Sequence, residues 1–200
     1  MRNPISNLAI AAWKPVELRV HPAVRVTGIV LAGSALAALC SHIVLPLYFT
    51  PVPLSLQPFA VLLLGLLLSP RLAAATMFAY LAEGAIGLPV FAPGAAAGGG
   101  LAQLFGATGG YLMAYPLAAA AVSFLWRRMR RGFAWALVAA AAGDLIVLAC
   151  GAVWLAVFIH TSAFSTLTMA VLPFLPGDAL KVVAAAGMAA GYFRLRHGTA

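Results

Sequence analysis

Residues 133–159, FAWALVAAAAGDLIVLACGAVWLAVFI, decide the fold of this chain, because these 27 consecutive residues carry a single charge, Asp144. A helix that crosses a membrane needs about 20 predominantly apolar residues, and this run is long enough. The same composition extends over all 200 residues, of which 64% are hydrophobic and 8% are charged. In a soluble domain about a quarter of the residues are charged. The sequence therefore predicts a multi-pass membrane protein and excludes a soluble globular domain.

Five more apolar runs accompany this one, which predicts an all-α bundle of six transmembrane helices. The predicted spans are residues 24–45, 54–68, 72–88, 108–126, 133–159 and 172–193. At about 20 residues each, six spans use most of the chain and leave only short connections. We therefore expect a single membrane domain over residues 1–200, in which residues 1–23 form a cytoplasmic N-terminal segment.

The basic residues predict the orientation of this bundle. Eleven of the 12 Lys and Arg residues lie before span one or at its very start (Arg25), between spans two and three, between spans four and five, or after span six. The opposite connections, residues 46–53, 89–107 and 160–171, contain no Lys, Arg, Asp or Glu. The positive-inside rule then places both termini in the cytoplasm and the protein in the bacterial cell (inner) membrane. Because this topology accounts for the net charge of +8, no nucleic-acid partner is expected.

Apart from Arg25 at the start of span one, four charged residues lie inside the predicted spans: Glu83, Asp144, Asp178 and Lys181. Ionisable groups at membrane depth are costly unless they are paired or hydrated, so each is a candidate functional residue. Asp178 and Lys181 are three residues apart and share one helix face, and Glu83 falls at a similar depth on span three. We expect a polar cluster of these three residues, open to the outer side. A helix-start acid and a structural salt bridge are the alternatives.

Asp144 is interpreted differently, because no second titratable residue lies at its depth in its own span. We interpret it as a helix-packing acid that is hydrogen-bonded to a neighbour, with a proton relay as the alternative. A self-sufficient ion-coupled carrier would use it in the second role.

The sequence contains no constellation that is typical of an enzyme. The acids do not occur at the spacing of a metal site or a catalytic pair, no ATP-binding motif is present, and Cys40 and Cys150 have no Cys or His at ligand spacing. We therefore predict no enzymatic activity, no catalytic residue, no metal and no cofactor. A binding protein with an outward-facing pocket fits better: Asp178 would accept N–H groups of a small ligand, and Lys181 would donate to a carbonyl or carboxylate.

Two further segments are candidates for ligand access and partner contact. The connection 89–107 is long, uncharged and rich in glycine, which is typical of a lid or binding loop, with a surface connector as the alternative. Span one carries small residues four positions apart: Gly28 and Ala32, and Gly33, Ala37 and Ser41. Such spacing lets helices approach closely and predicts a partner-facing surface. Association between copies of the chain stays open.

Four further segments stand out as motifs: VPLSLQP (52–58), YLAEGAIGLPVF (80–91), GATGGYL (106–112) and PFLPGDALK (173–181). These segments resemble motifs of the BioY family of biotin transporters. Their order and spacing agree with the family, and together they cover roughly residues 52–191. Ala107 replaces the proline that is usual in the third motif, a departure that touches no charged group.

The resemblance implies a six-helix substrate-binding subunit (S component) of an energy-coupling-factor (ECF) transporter, with biotin as the transported ligand. By motif, the implied site residues are Asp178, Lys181, Gln57, Tyr80, Phe91 and Tyr111, to which the depth argument adds Glu83. In this family the loop between spans three and four closes the pocket. The implied partners are a transmembrane coupling protein and ABC-type ATPases, docked on the small-residue face of span one. An S component for another small vitamin and a self-sufficient ion-coupled carrier are the alternatives.

Overall fold

The computed structural model describes residues 21–94, 99–130 and 132–197, and this part of the chain is mostly helical, as predicted. In chain order the elements are α1 (Pro22–Ser41), β1 (Val44–Leu45), β2 (Leu54–Ser55), α2 (Gln57–Leu67), α3 (Pro70–Ala85), α4 (Leu101–Leu104), α5 (Gly109–Arg128), α6 (Phe133–Phe158), α7 (Ala163–Ala170) and α8 (Leu175–His197). Of the predicted N-terminal segment 1–23, residues 1–20 lie outside the described residues.

A short hairpin shifts the ends of the first two predicted spans. Val44 and Leu45 pair antiparallel with Ser55 and Leu54. As a result α1 ends at Ser41 rather than near residue 45, and α2 begins at Gln57 rather than residue 54. The hairpin thereby brings the residues just before α2 over one end of the bundle.

The described helices differ in their ability to cross a membrane. By length and composition, α1, α5 and α6 each suffice, and α7 with α8 makes a fourth span if this pair, bent by 51°, counts as one. α2 has 11 residues and α3 has 16, fewer than the roughly 20 that a perpendicular crossing needs. The count of six spans and the cytoplasmic position of the termini therefore stay predictions.

The helices pack around two apolar clusters of different character. One lies toward the C-terminal ends of α2 and α5 and combines Leu and Val side chains with a series of buried alanines on α6 and α8: Ala136, Ala139, Ala140, Ala185, Ala186 and Ala189. Gly143 extends this close packing, since a Cβ there would overlap the side chain of Val122. The second cluster lies toward the other end and is rich in aromatic residues, among them Tyr80, Tyr111 and Tyr115. Small residues thus allow close helix packing at one end of the bundle, and the buried polar side chains lie at the other end, among the aromatic residues.

The small residues of α1 lie on two different surfaces. The prediction that they form one partner-facing surface is therefore corrected for the buried row. Gly33, Ala37 and Ser41 are buried, and a Cβ on Gly33 would press against the side chain of Thr76 in α3. This row is a packing seam within the protein. Gly28 and Ala32 are exposed, and a Cβ on Gly28 would meet no atom within 4 Å.

Candidate functional site

A cavity lies at the aromatic end of the bundle, among α2, α5, α6 and α8. Its polar lining residues are Ser55, Gln57, Gln103, Thr108, Tyr111, Tyr115, Asp144, Asp178 and Lys181. Its apolar lining residues are Val52, Pro53, Pro58, Ala92, Leu112, Val147, Leu148 and Phe174. Apolar walls with a few convergent polar groups are typical of a small-molecule site.

Asp178 and Lys181 form a buried ion pair in the wall of this cavity. Lys181 Nζ donates to Asp178 Oδ1 at 2.7 Å, and the two side chains are 7% and 5% exposed. Pro176 is the second residue of α8, where its missing N–H is not needed, so Asp178 falls in the first turn and Lys181 one turn deeper. The carboxylate also lies at the favourable end of the helix dipole. The pair keeps a free carboxylate oxygen and further ammonium N–H groups for a ligand.

Gln57 lines the cavity and is held by a hydrogen-bond chain that runs away from it. Its Nε2 donates to the Tyr80 hydroxyl at 2.5 Å, and that hydroxyl donates to the carbonyl oxygen of Val90 at 2.8 Å. Ser41 of α1 also donates to Val90, at 2.6 Å. The chain therefore ties the cavity wall to the segment that follows α3.

Tyr80 and Phe91 support the site from behind rather than lining it. Tyr80 is fully buried, and the Phe91 ring packs edge-on against it with 5.4 Å between centroids. The Phe91 ring lies over Gly84, where a Cβ would overlap it. Of the predicted site residues, Asp178, Lys181, Gln57 and Tyr111 line the cavity, whereas Tyr80 and Phe91 form a layer outside it.

Tyr111 joins the cavity to the bent connection before α8. Its hydroxyl donates to the carbonyl oxygen of Ala170 at 2.8 Å, and its ring packs against Phe174 with 6.2 Å between centroids. Gly151 of α6 gives the ring room, since a Cβ there would overlap it. Tyr115, one turn further along α5, also lines the cavity.

Glu83 does not join the polar cluster that its depth predicted. It accepts a hydrogen bond from Ser34 Oγ at 2.8 Å and lies in a surface groove between α1 and α3, lined also by Leu31, Ala35, Ala38, Leu39, His42 and Val90. The cause is rotation about the helix axis: Glu83 lies about 60° around α3 from the buried Tyr80, and this offset is enough to turn it toward Ser34 of α1. Depth along a helix does not fix this direction.

Asp144 lines the cavity together with Asp178 and Lys181, and its Oδ1 atom lacks the hydrogen bond to a neighbour that its interpretation as a packing acid predicted. Among the residues described, the buried side-chain oxygens without a hydrogen-bond partner are Asp144 Oδ1 and Thr108 Oγ1, and both residues line this cavity. The groups that share its cavity come from α8, which packs against α6.

Two residues separate this cavity from a larger depression at the surface. Ala92 and Gln103 line both spaces, and Gln103 Nε2 donates to the carbonyl oxygen of Ala92 at 2.9 Å. The depression is lined mainly by the segments around Gly87–Gly94 and Gly99–Gln103. Residues 95–98 of the glycine-rich connection lie outside the described residues.

Sequence reasoning missed several lining residues, although some carried a signal. Ser55, Thr108 and Phe174 lie inside the motifs quoted above, and Tyr115 follows Tyr111 by four residues on the same helix face. No sequence pattern indicated Gln103, because its position depends on how the connection between α3 and α5 folds back. In the part of the chain that the structure describes, no three His, Cys, Asp or Glu side chains are grouped as a metal site. That the protein uses no metal or cofactor stays a prediction.

Comparison with known proteins points to one family. The model of the BioY family matches residues 13–197. The probable biotin transporter BioY of Pyrococcus horikoshii is 37% identical over 136 residues, which cover 68% of this chain and 76% of that protein. The biotin transporter BioY of Thermotoga maritima is 35% identical over 136 residues, 68% of this chain and 78% of that protein.

A solved structure matches the whole fold. The crystal structure of the S component for biotin from an ECF-type ABC transporter superposes with a TM-score of 0.78 and 26% identity, covering 88% of this chain and 93% of that one. The predicted all-α, S-component-like fold class and multi-pass membrane location are thereby confirmed. The relatives are transporters, in agreement with the prediction that the chain is not an enzyme.

Proposed function

The chain belongs to the BioY family, and we propose that it binds biotin in the cavity beside Asp178 and serves as the substrate-binding S component of an ECF-type transporter. One observation carries this proposal: the buried ion pair of Asp178 and Lys181 lies in the wall of a cavity whose remaining lining is largely apolar. The names of the relatives and of the matching structure specify biotin as their ligand.

The chemistry of biotin suits these walls. Its ureido ring offers N–H donors and a carbonyl acceptor, and its aliphatic chain ends in a carboxylate. Asp178 accepts a ureido N–H, and Lys181 donates either to the ureido carbonyl or to the carboxylate. Val147, Leu148 and Phe174 hold the thioether ring and the aliphatic chain by apolar contact.

We propose further that the cavity faces the outside of the cell and that the connection between α3 and α5 closes it. The described arginines of the helices lie at the ends remote from the cavity: Arg25, Arg71, Arg127, Arg128, Arg194 and Arg196. By the positive-inside rule the remote end is cytoplasmic. The hydrogen bond from Gln103 to Ala92 supports closure, because these residues separate the cavity from the surface depression.

Energy comes from partners in this proposal: a transmembrane coupling protein and ABC-type ATPases. The matching structure is described as a component of such a transporter, and the sequence contains no ATP-binding motif. The exposed face around Gly28 and Ala32 is the part of the small-residue surface of α1 that remains available to a partner. Biotin uptake with and without the coupling module separates this proposal from a self-sufficient carrier, which would still accumulate biotin alone.

Calorimetry on the purified protein tests the ligand. We expect tight, one-to-one biotin binding and a rise in thermal stability, since a ligand that binds only the folded state stabilises it. Asp178→Asn should weaken binding about 30-fold or more, because a ureido N–H loses its charged acceptor. A panel of other vitamins should not compete. If biotin neither binds nor stabilises the protein, the proposal is wrong, and a competing vitamin would identify the alternative S component.

A further inference from the structure

Asp144 is the one charged lining residue of the cavity that has no role in the function proposed above. It is 7% exposed, and its Oδ1 atom is buried without a hydrogen-bond partner. The other two charged lining residues, Asp178 and Lys181, are paired with each other at 2.7 Å. Asp144 therefore adds a third charged side chain to the cavity, and none of the lining residues is a cation that is free to pair with it.

The elements packed against α6 supply no further cation to Asp144. Facing it in the cavity are Tyr111 and Tyr115 from α5 and the ion pair from α8. α2 contributes Gln57, and neither α2 nor α7 contains an ionisable residue. Cys150, on α6 itself, lines a different groove with Met113 and Trp154. The only cation that lines the cavity among the described residues, Lys181, is already neutralised by Asp178.

Charge balance then constrains how an anion can be enclosed here. With Asp144 ionised, the three charged groups sum to −1, and the carboxylate of a ligand would bring the closed cavity to −2. Two uncompensated negative charges in a largely apolar space are strongly unfavourable, and a buried carboxylate in such a place takes up a proton instead. An open, hydrated cavity imposes no such cost.

We propose that Asp144 is the proton-binding residue of the ligand site, so that enclosing an anionic ligand is accompanied by uptake of about one proton from solvent. This inference rests on the proposed function, because it takes biotin as the anionic ligand. The proton adds to a carboxylate oxygen of Asp144, no other bond changes, and the cavity stays at −1. The resulting O–H becomes a donor toward the ligand carboxylate or carbonyl.

Proton uptake has a measurable consequence for affinity. Where the free protein holds Asp144 ionised, the dissociation constant should rise with pH, approaching tenfold per pH unit for linkage to one proton. At lower pH, where Asp144 is already protonated, affinity should become independent of pH. A cell whose outer surface is more acidic than its cytoplasm would thereby favour loading from outside.

Calorimetry from about pH 6 to about pH 9, in pairs of buffers that differ in ionisation enthalpy, counts the protons taken up. We expect close to one proton at the alkaline end for the native protein and for Glu83→Gln, and none for Asp144→Asn, which should still bind biotin. Biotin amide, which lacks the carboxylate, should bind without proton uptake.

Three outcomes would overturn the inference: no proton uptake by the native protein at any pH, unchanged uptake in Asp144→Asn, or loss of binding by Asp144→Asn at every pH. The last would make Asp144 a charged acceptor for the ligand. If biotin does not bind, the proposed function fails separately. The same titration with the anionic vitamin that the competition panel identifies then decides the role of Asp144.

Discussion

The cavity and the groove between α1 and α3 each hold an acidic side chain in apolar surroundings, yet they are built differently. In the cavity, Asp178 meets an ammonium group at 2.7 Å, and four helices enclose the pair. In the groove, Glu83 accepts a hydrogen bond from the hydroxyl of Ser34 at 2.8 Å and remains partly exposed. Enclosure and a counter-charge, rather than depth in the bundle, therefore distinguish the candidate ligand site.

Energetics explains why only the cavity points to function. A fully buried ion pair is often no more stable than a pair of apolar residues of the same volume, so stability alone does not account for keeping it. A partly exposed carboxylate at the surface of a bundle loses less hydration and needs no such explanation. Variants in the cavity and in the groove should therefore differ in their effects on stability and on biotin affinity.

The largest effect is expected for Lys181→Met, which removes the counter-charge from the cavity. Leaving Asp178 buried and uncompensated should lower the free energy of unfolding by about 3–5 kcal/mol and abolish detectable biotin binding. Thermal unfolding and calorimetry measure the two effects. The double variant Asp178→Asn/Lys181→Met should recover most of the stability but not the binding. Recovery of both would show that the pair is only structural.

A smaller effect is expected for Tyr80→Phe, which cuts the hydrogen-bond chain behind the cavity wall. Gln57 Nε2 loses its acceptor and the carbonyl of Val90 keeps only Ser41 as a donor. Buried groups that lose a partner cost about 1–3 kcal/mol of folding stability. Because Gln57 lines the cavity and loses the partner that orients it, biotin affinity should fall about three- to tenfold, which is about 0.7–1.4 kcal/mol. Tyr48→Phe is the matched control, because the Tyr48 side chain is fully exposed. Equal affinities of the two variants would contradict the supporting role of Tyr80.

The smallest effect is expected for Glu83→Gln in the groove. The amide oxygen of Gln can still accept the hydrogen bond from Ser34, and no cation depends on the lost charge. Stability should stay within about 0.5 kcal/mol of the native protein and biotin affinity within about twofold. A loss of affinity comparable to that of Asp178→Asn would erase the distinction between the two regions and restore Glu83 to the ligand site.

Sequence reasoning was most successful where the signal is local. The apolar run around Asp144 predicted a helix, and the prolines before and within the start of α8 predicted that Asp178 and Lys181 share the first turns of one helix. The motifs identified four residues that line the cavity. The sequence did not predict the surroundings of Glu83 or the burial of Gly33, Ala37 and Ser41, because the neighbours of these residues belong to other helices.

The amino-acid sequence was sufficient to predict a membrane protein, the end of the helices at which the basic residues gather, and the approximate depth of each charge. Composition, charge and the fixed rise of about 1.5 Å per residue are properties of one segment at a time. The packing of the helices was needed to show that Asp144 shares a cavity with Asp178 and Lys181 while Glu83 does not. The groups that a side chain contacts depend on its direction around the helix and on which helices pack against that face. Those helices are distant in the chain, so the sequence of one segment does not identify them.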